Sequence, residues 1–188
     1  MSIKSANKRD RLIEAADKLV YLHGFNETTL ADIAVRAGIP LGNLYYYFKT
    51  KEELGAAIIE RRAKYYSDLA AEWSKQADPK KRLAAFIDYV EGRREYLSRS
   101  GCPIGSLSQE LHKGDAGFLA EQSAVIFSEQ LKWLRGQFSA LGCKDASEGH
   151  AFHLLSVLQG AALLTNAFGN PELIQHEAAR IKEWIQAL

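Results

Sequence analysis

Proline placement constrains this chain most tightly, because a proline inside a helix removes a hydrogen bond and clashes with the preceding turn, costing about 3 kcal/mol or more. Only four occur in 188 residues, and each falls where a helix would open or a turn would sit: Pro40, Pro79, Pro103 and Pro171. Between them nearly every segment repeats its apolar residues with the helical period. No stretch alternates Val, Ile and Thr between turn residues as a strand would. The expectation is an all-α chain of about nine helices.

The local signals place those helices. The first is expected over 8–23, with Leu12, Ala16, Leu19 and Val20 on one face and Lys8, Arg11, Glu14 and Lys18 off it. Gly24 closes it, with Phe25 expected to fold back in a Schellman-type stop. Thr29 to Asp32 reads as a capping box with Asp in place of Glu, opening a short helix that ends at Gly38. Pro40 opens a second short helix, Leu41 to Phe48, and Thr50-Lys51-Glu52-Glu53 opens a long one reaching about Trp73. Further helices are expected over 79–98, 106–112, 118–141, 151–168 and 171–188. The segment 151–168 is apolar nearly all round and is expected to be buried on several sides.

Several function classes are excluded by what is missing. No run approaches the ~18 uninterrupted apolar residues of a membrane helix, and the basic N-terminus has no apolar segment behind it to make a secretory signal. A cytoplasmic chain with no membrane partner is the expectation. Cys102 and Cys143 give no zinc spacing and no disulfide framework. There is no H-E-x-x-H, no G-x-S-x-G and no phosphate loop, so no enzyme and no cofactor are expected. Glu148, His150 and His153 could share a helix face, but interface histidines are the simpler reading, and no metal is expected. The net charge is only +1, yet it is unevenly spread. Through Lys51 there are eight basic against five acidic residues, and beyond it sixteen against eighteen. A mildly basic head on a mildly acidic body permits DNA contact at one end.

The informative stretch is Thr28 to Lys51, TTLADIAVRAGIPLGNLYYYFKTK. It reads as two short helices joined by a tight glycine turn, the arrangement that projects a second helix into a major groove. Ile33, Ala34, Ile39, Leu44 and Phe48 would knit the helices together. Leu41, Asn43, Tyr45, Tyr46 and Tyr47 are left facing outward, with Lys49 and Lys51 just beyond. Tyrosine hydroxyls donate to phosphate oxygens, and their rings lie against sugar or thymine methyls.

These residues closely resemble the DNA-binding domain of the TetR/AcrR family. The match runs through Thr28, Thr29, Ile33, Ala34, Ala37, Gly38, Gly42, Leu44, Tyr45, Tyr47, Phe48, Lys51 and Leu54, with Gly24-Phe25 ahead of it. Pro40 departs from it, standing where the family often has a serine. The resemblance implies a three-helix helix-turn-helix domain over 1–50, and an effector-binding and dimerisation domain over 51–188. It implies that Tyr45, Tyr47 and Lys51 hold phosphates of a double-stranded operator, with Thr28 and Thr29 helping at a helix terminus. Leu41, Asn43 and Tyr46 are the candidates for base edges, asparagine suiting adenine. The function implied is a repressor released from a palindromic operator by a small molecule. An activator of the same kind is the alternative, and an all-α enzyme or a ligand-binding module without DNA binding stands further off.

In the body, 151–168 and 171–188 look like the two helices that in this family build a four-helix bundle across a two-fold axis. Gly160, Ala161, Leu164, Ile181 and Ile185 are the expected homodimer interface. Phe86, Tyr89, Arg93, Tyr96, Cys102, Phe127 and Trp133 are the expected effector pocket, and their aromatic character favours an apolar or aromatic small-molecule effector. Cys102 precedes a helix start with Arg93, Arg94 and Arg99 upstream, which favours a thiolate. Similar G-C-x-x-G-x-L-x-x-E segments occur in a subgroup of the family, and an electrophile-sensing role for Cys102 is implied by that resemblance.

Overall fold

The capping signals recur in the computed structural model, which describes residues 3–113 and 117–188, with side chains from residue 7 onward. Among the described residues there are ten helices and no strand. They are α1 (Ile3–His23), α2 (Leu30–Ala37), α3 (Leu41–Tyr47), α4 (Lys51–Trp73), α5 (Pro79–Glu91), α6 (Arg94–Ser100), α7 (Pro103–Lys113), α8 (Gly117–Ala140), α9 (Ser147–Phe168) and α10 (Glu172–Ala187). The extra helix comes from 79–98, expected as one piece. Arg93 leaves the helical region at φ −101°, ψ 10°, so the chain breaks into α5 and α6 there. Gly92, which costs about 1 kcal/mol in a helix relative to alanine, stands at the break.

Compactness divides the chain elsewhere than at residue 50. One unit joins Met1–Lys64 with Ser106–Val125, and the other joins Tyr65–Gly105 with Ile126–Leu188. In the first, α2 packs on α1 and α3 on α2. Leu12, Ile33, Ala34, Ile39, Leu44 and Phe48 are all buried, as their spacing requires. Leu19 is only half-buried. An ion pair fastens α4 to α1, Arg62 Nε donating to Asp17 Oδ1 at 2.8 Å. Gly55 on α4 is a close-approach position, since a Cβ there would stand 2.9 Å from the Phe25 ring and 3.0 Å from Leu119.

In the second unit, α9 packs on α6 and α10, and α10 on α5. Leu83, Ile87, Leu134, Phe138, Leu154, Leu158, Ile174 and Ile185 form the centre of its core. Lys182 ties α10 to α5 through Asp88 and Glu91. Two expectations are corrected in this unit. Ile181 and Ile185 are 5% and 1% exposed inside the same chain's core, so they cannot face a second copy. The apolar stripe of α10 is spent on α5 and α9. Helix α9, conversely, is not covered on all sides within the chain. Phe152, Leu163, Leu164 and Phe168 are 64%, 61%, 51% and 71% exposed. By length and composition alone α9 could cross a membrane, with a mean hydropathy of 1.3. Its other face, including Ala151, Leu154, Leu158 and Ala162, lies in the core.

Candidate functional site

The reading head is built from short-range hydrogen bonds. At the start of α2, Thr29 Oγ1 accepts from the Asp32 N–H at 3.1 Å, and the Thr29 N–H donates to Asp32 Oδ2 at 3.1 Å. The Thr29 hydroxyl also donates to Asp32 Oδ2 at 2.5 Å, and these bonds hold the Asp32 carboxyl below the usual aspartate range. At the other end the Ile39 N–H reaches Ala34 O and the Gly38 N–H reaches Val35 O, both at 3.0 Å. With Gly38 at φ 62°, this is a Schellman closure. Arg11 Nη2 donates to the last carbonyl of α2, Ala37 O, at 2.6 Å. Helix α3 then starts at Pro40 with no side-chain cap, as the missing serine leads one to expect.

Held this way, α3 buries Leu44 and turns Leu41, Asn43, Tyr45 and Tyr46 to solvent, with Tyr46 73% exposed. Tyr47 is half-buried, its ring edge-on to Tyr46 at 5.1 Å. Lys49 is exposed and its Nζ donates to Tyr45 O at 2.7 Å, closing the end of α3. Lys51 is turned back on the head: Nζ donates to Asn26 O at 2.8 Å and lies 4.8 Å from the centre of the Phe25 ring. Thr28 requires a correction. Its side chain is 3% exposed and its hydroxyl donates to Gly24 O at 2.7 Å, so it fastens the turn and is turned away from any phosphate. Thr29 is exposed, but its hydroxyl is engaged in the cap.

Sequence reasoning missed Glu110. Its carboxylate accepts from the Phe25 N–H at 2.7 Å and the Asn26 N–H at 2.6 Å, and thereby grips the turn between α1 and α2 from α7. This replaces the Schellman-type stop expected at Gly24. The Phe25 N–H, which that motif would send back into α1, goes to Glu110 instead. The G-C-x-x-G-x-L-x-x-E segment contains this residue, but nothing local names its partners. Arg36, exposed on the last turn of α2, adds a further cation to this unit.

The second unit holds a cavity of about 40 Å³. Phe86, Tyr89, Arg93 and Cys102 line it. Tyr96, Phe127 and Trp133 do not. Tyr96 is 62% exposed, with the Arg93 guanidinium 5.9 Å from its ring centre. Phe127 and Trp133 pack against the core, Trp133 lying 5.5 Å from Trp73 and 6.1 Å from Phe86. Tyr66, Gln130 and Gln159 complete the polar lining. Cys102 is half-buried, and its Sγ accepts from the Gly105 N–H at 3.4 Å. Burial, then the neighbouring Tyr66, pushes the Tyr89 phenol far upward, so it stays a protonated donor. A benzene ring occupies a cavity of about 150 Å³. An aromatic effector would therefore need the walls to part. Among the described residues no cluster of three or more metal-ligating side chains occurs.

A buried-core helix pair that presents a tyrosine-rich second helix to solvent has the arrangement of a helix-turn-helix. Residues 12–58 match the sequence profile of the bacterial regulatory proteins of the tetR family. The chain is 28% identical over 163 residues to an uncharacterized HTH-type transcriptional regulator in the lacX 3' region of Lactococcus lactis, covering 84% of this chain and 83% of that one. It is 26% identical over 106 residues to the HTH-type transcriptional repressor NemR of Escherichia coli, covering 55% and 53%. The reduced form of E. coli NemR superposes with a TM-score of 0.79 at 21% identity, over 94% and 96% of the two chains. A TetR transcriptional regulator from Legionella pneumophila superposes with a TM-score of 0.84 at 20% identity, over 97% of each. Residues 12–58 thus resemble the tetR-family reading head, and the chain as a whole shares the fold of TetR regulators.

Proposed function

We propose that this regulator is a cytoplasmic repressor that binds a palindromic operator as a homodimer and leaves it when a small molecule occupies the cavity of the second unit. Residues 1–50 act as the reading domain and 51–188 as the sensing and dimerising domain. The observation that carries the DNA reading is the exposed face of α3, where Leu41, Asn43, Tyr45 and Tyr46 stand in solvent over a buried Leu44. Asn43 and Tyr46 read bases. Tyr45, Tyr47, Lys49, Lys51 and the exposed cap of α2 at Thr29 serve the phosphates, with Lys51 exchanging the Asn26 carbonyl for a phosphate oxygen on DNA. The exposed apolar stripe of α9 supports a second copy of the chain, with Gly160, Ala161 and Leu164 kept as interface residues and Phe152, Leu163 and Phe168 added. Cys102, on the cavity wall, is where an electrophilic effector would act.

Selection from a pool of random duplexes tests this. A palindromic motif bound by a dimer is expected, and Asn43→Ala should change the motif while Lys51→Ala weakens all sequences about equally and lowers the salt slope. Sequence-independent binding at low salt overturns the reading. DNA release by small electrophiles, run on wild type and Cys102→Ser together, tests the thiol: equal release from both removes Cys102 from the mechanism.

A further inference from the structure

The outward face of α3 carries two residues that hydrogen bonding to DNA does not explain, Leu41 and Gly42. Leu41 is exposed, an aliphatic side chain with no polar atom to offer a phosphate. Gly42 beside it is exposed too, and none of the described residues demands a glycine there. Its φ is not positive, and a Cβ added to it would meet nothing within 4 Å. Glycine is the least favourable helix residue after proline, so the position forgoes stability that alanine would supply. The next N–H groups are already engaged within the turn, Asn43 and Leu44 both donating to Pro40 O, at 2.9 and 3.2 Å. What Leu41 and Gly42 present outward is apolar side-chain and Cα surface.

A residue that costs stability and serves no contact inside the chain is accounted for by a surface that comes close from outside. With α3 as the helix that enters the major groove, that surface is a base-pair edge. Thymine alone of the four bases carries an apolar substituent there, its C5-methyl. Exposed cations of the same unit, Lys49 after α3 and Arg36 on the last turn of α2, suit the phosphates and leave this patch apolar. We propose that Leu41 and Gly42 receive a thymine methyl in each operator half-site, Leu41 covering the methyl and the bare Cα of Gly42 letting the base edge come close. This rests on the reading of α3 as the DNA-recognition helix and deepens it from a base-reading face to one named base. Burying a methyl against Leu41 corresponds to about fourfold in affinity per half-site.

The test takes the operator selected from random duplexes and replaces each thymine in turn by deoxyuridine, which keeps the base pair and removes only the methyl. Affinity for the full chain is read by fluorescence anisotropy at one fixed salt concentration. At one thymine per half-site the replacement should weaken wild-type binding about fourfold, and by about tenfold or more when both half-sites are changed. Leu41→Ala should bind the thymine and deoxyuridine operators within about twofold of each other. Gly42→Ala should raise the midpoint of thermal unfolding and yet weaken operator binding by at least about tenfold. The wild-type comparison needs no variant, so a misfolded one does not spoil it. Half-sites without thymine, or equal binding of every deoxyuridine operator, overturn the methyl contact and leave α3 as the reading helix. A methyl effect undiminished in folded Leu41→Ala assigns the methyl to another residue and overturns the proposal in the same way. Wild-type affinity in Gly42→Ala overturns the close approach. Sequence-independent binding, with no operator selected, overturns the DNA reading and this inference together.

Discussion

Glu110 accepts from two backbone N–H groups in the turn after α1, so truncating it strands two donors, one of them partly buried. Leaving such groups unpaired costs about 1–3 kcal/mol. Glu110→Ala should lower the midpoint of thermal unfolding and weaken operator binding, and Glu110→Gln, which keeps one acceptor, should fall between. Wild-type melting and wild-type affinity in Glu110→Ala would show that the turn holds its shape unaided. Asp32 makes a pH prediction with a definite sign. Its carboxyl is held low by the Thr29 bonds, so the stabilisation is present above the ordinary aspartate value and is lost as pH falls through the lowered folded value. Asp32→Asn should flatten that acid dependence of the head's helicity, followed by circular dichroism. An unchanged acid limb in the variant would assign it to other carboxylates.

At the scale of elements, the ion pair between α1 and α4 and the packing of α10 separate two kinds of cost. Arg62 has a side chain 7% exposed and loses its Asp17 ion pair in Asp17→Ala, which should destabilise the chain by about 1–3 kcal/mol in urea unfolding. No change in midpoint would mean the guanidinium finds another acceptor. Ile185 is 1% exposed in the core of α5, α9 and α10, so Ile185→Ala should cost about 2–5 kcal/mol, the range for buried aliphatic truncation. That variant should leave self-association unchanged at temperatures where it is still folded. Loss of the dimer in a folded Ile185→Ala chain would put α10's apolar stripe back at an interface.

Among the described residues, the outer face of α9 is a long apolar feature that the chain does not cover. Phe152, Gly160, Leu164 and Phe168 recur along it at helical spacing, and a Cβ added to Gly160 would meet nothing within 4 Å. A monomer exposing such a stripe would be aggregation-prone, whereas a two-fold related copy would bury it. On the proposed dimer, Leu164→Arg or Gly160→Trp should give a monomer in sedimentation experiments and weaken operator binding by more than tenfold, because two heads would no longer arrive together. A dimer that survives both substitutions would place the contact elsewhere.

Helix ends were legible because their chemistry is local. The capping box at Thr29 and Asp32, the glycine stop at Gly38 and the proline starts involve groups within a few residues of each other, and the residue types alone specify the bonds. The outward face of α3 was legible too, since its period and the match in 28–51 leave those side chains nowhere else to go. The contacts of Glu110 were not, because they span 84 and 85 positions of chain and depend on how helices pack. The stripes of α9 and α10 looked alike in one dimension. Periodicity says that a face is apolar, but not whether it meets its own core or another copy. Packing decided that Ile181 and Ile185 go inward while Leu164 and Phe168 stay out. It likewise chose Arg93 and Cys102 for the cavity wall and left Tyr96 in solvent, because the break at 92–93 sets which face of α6 turns inward.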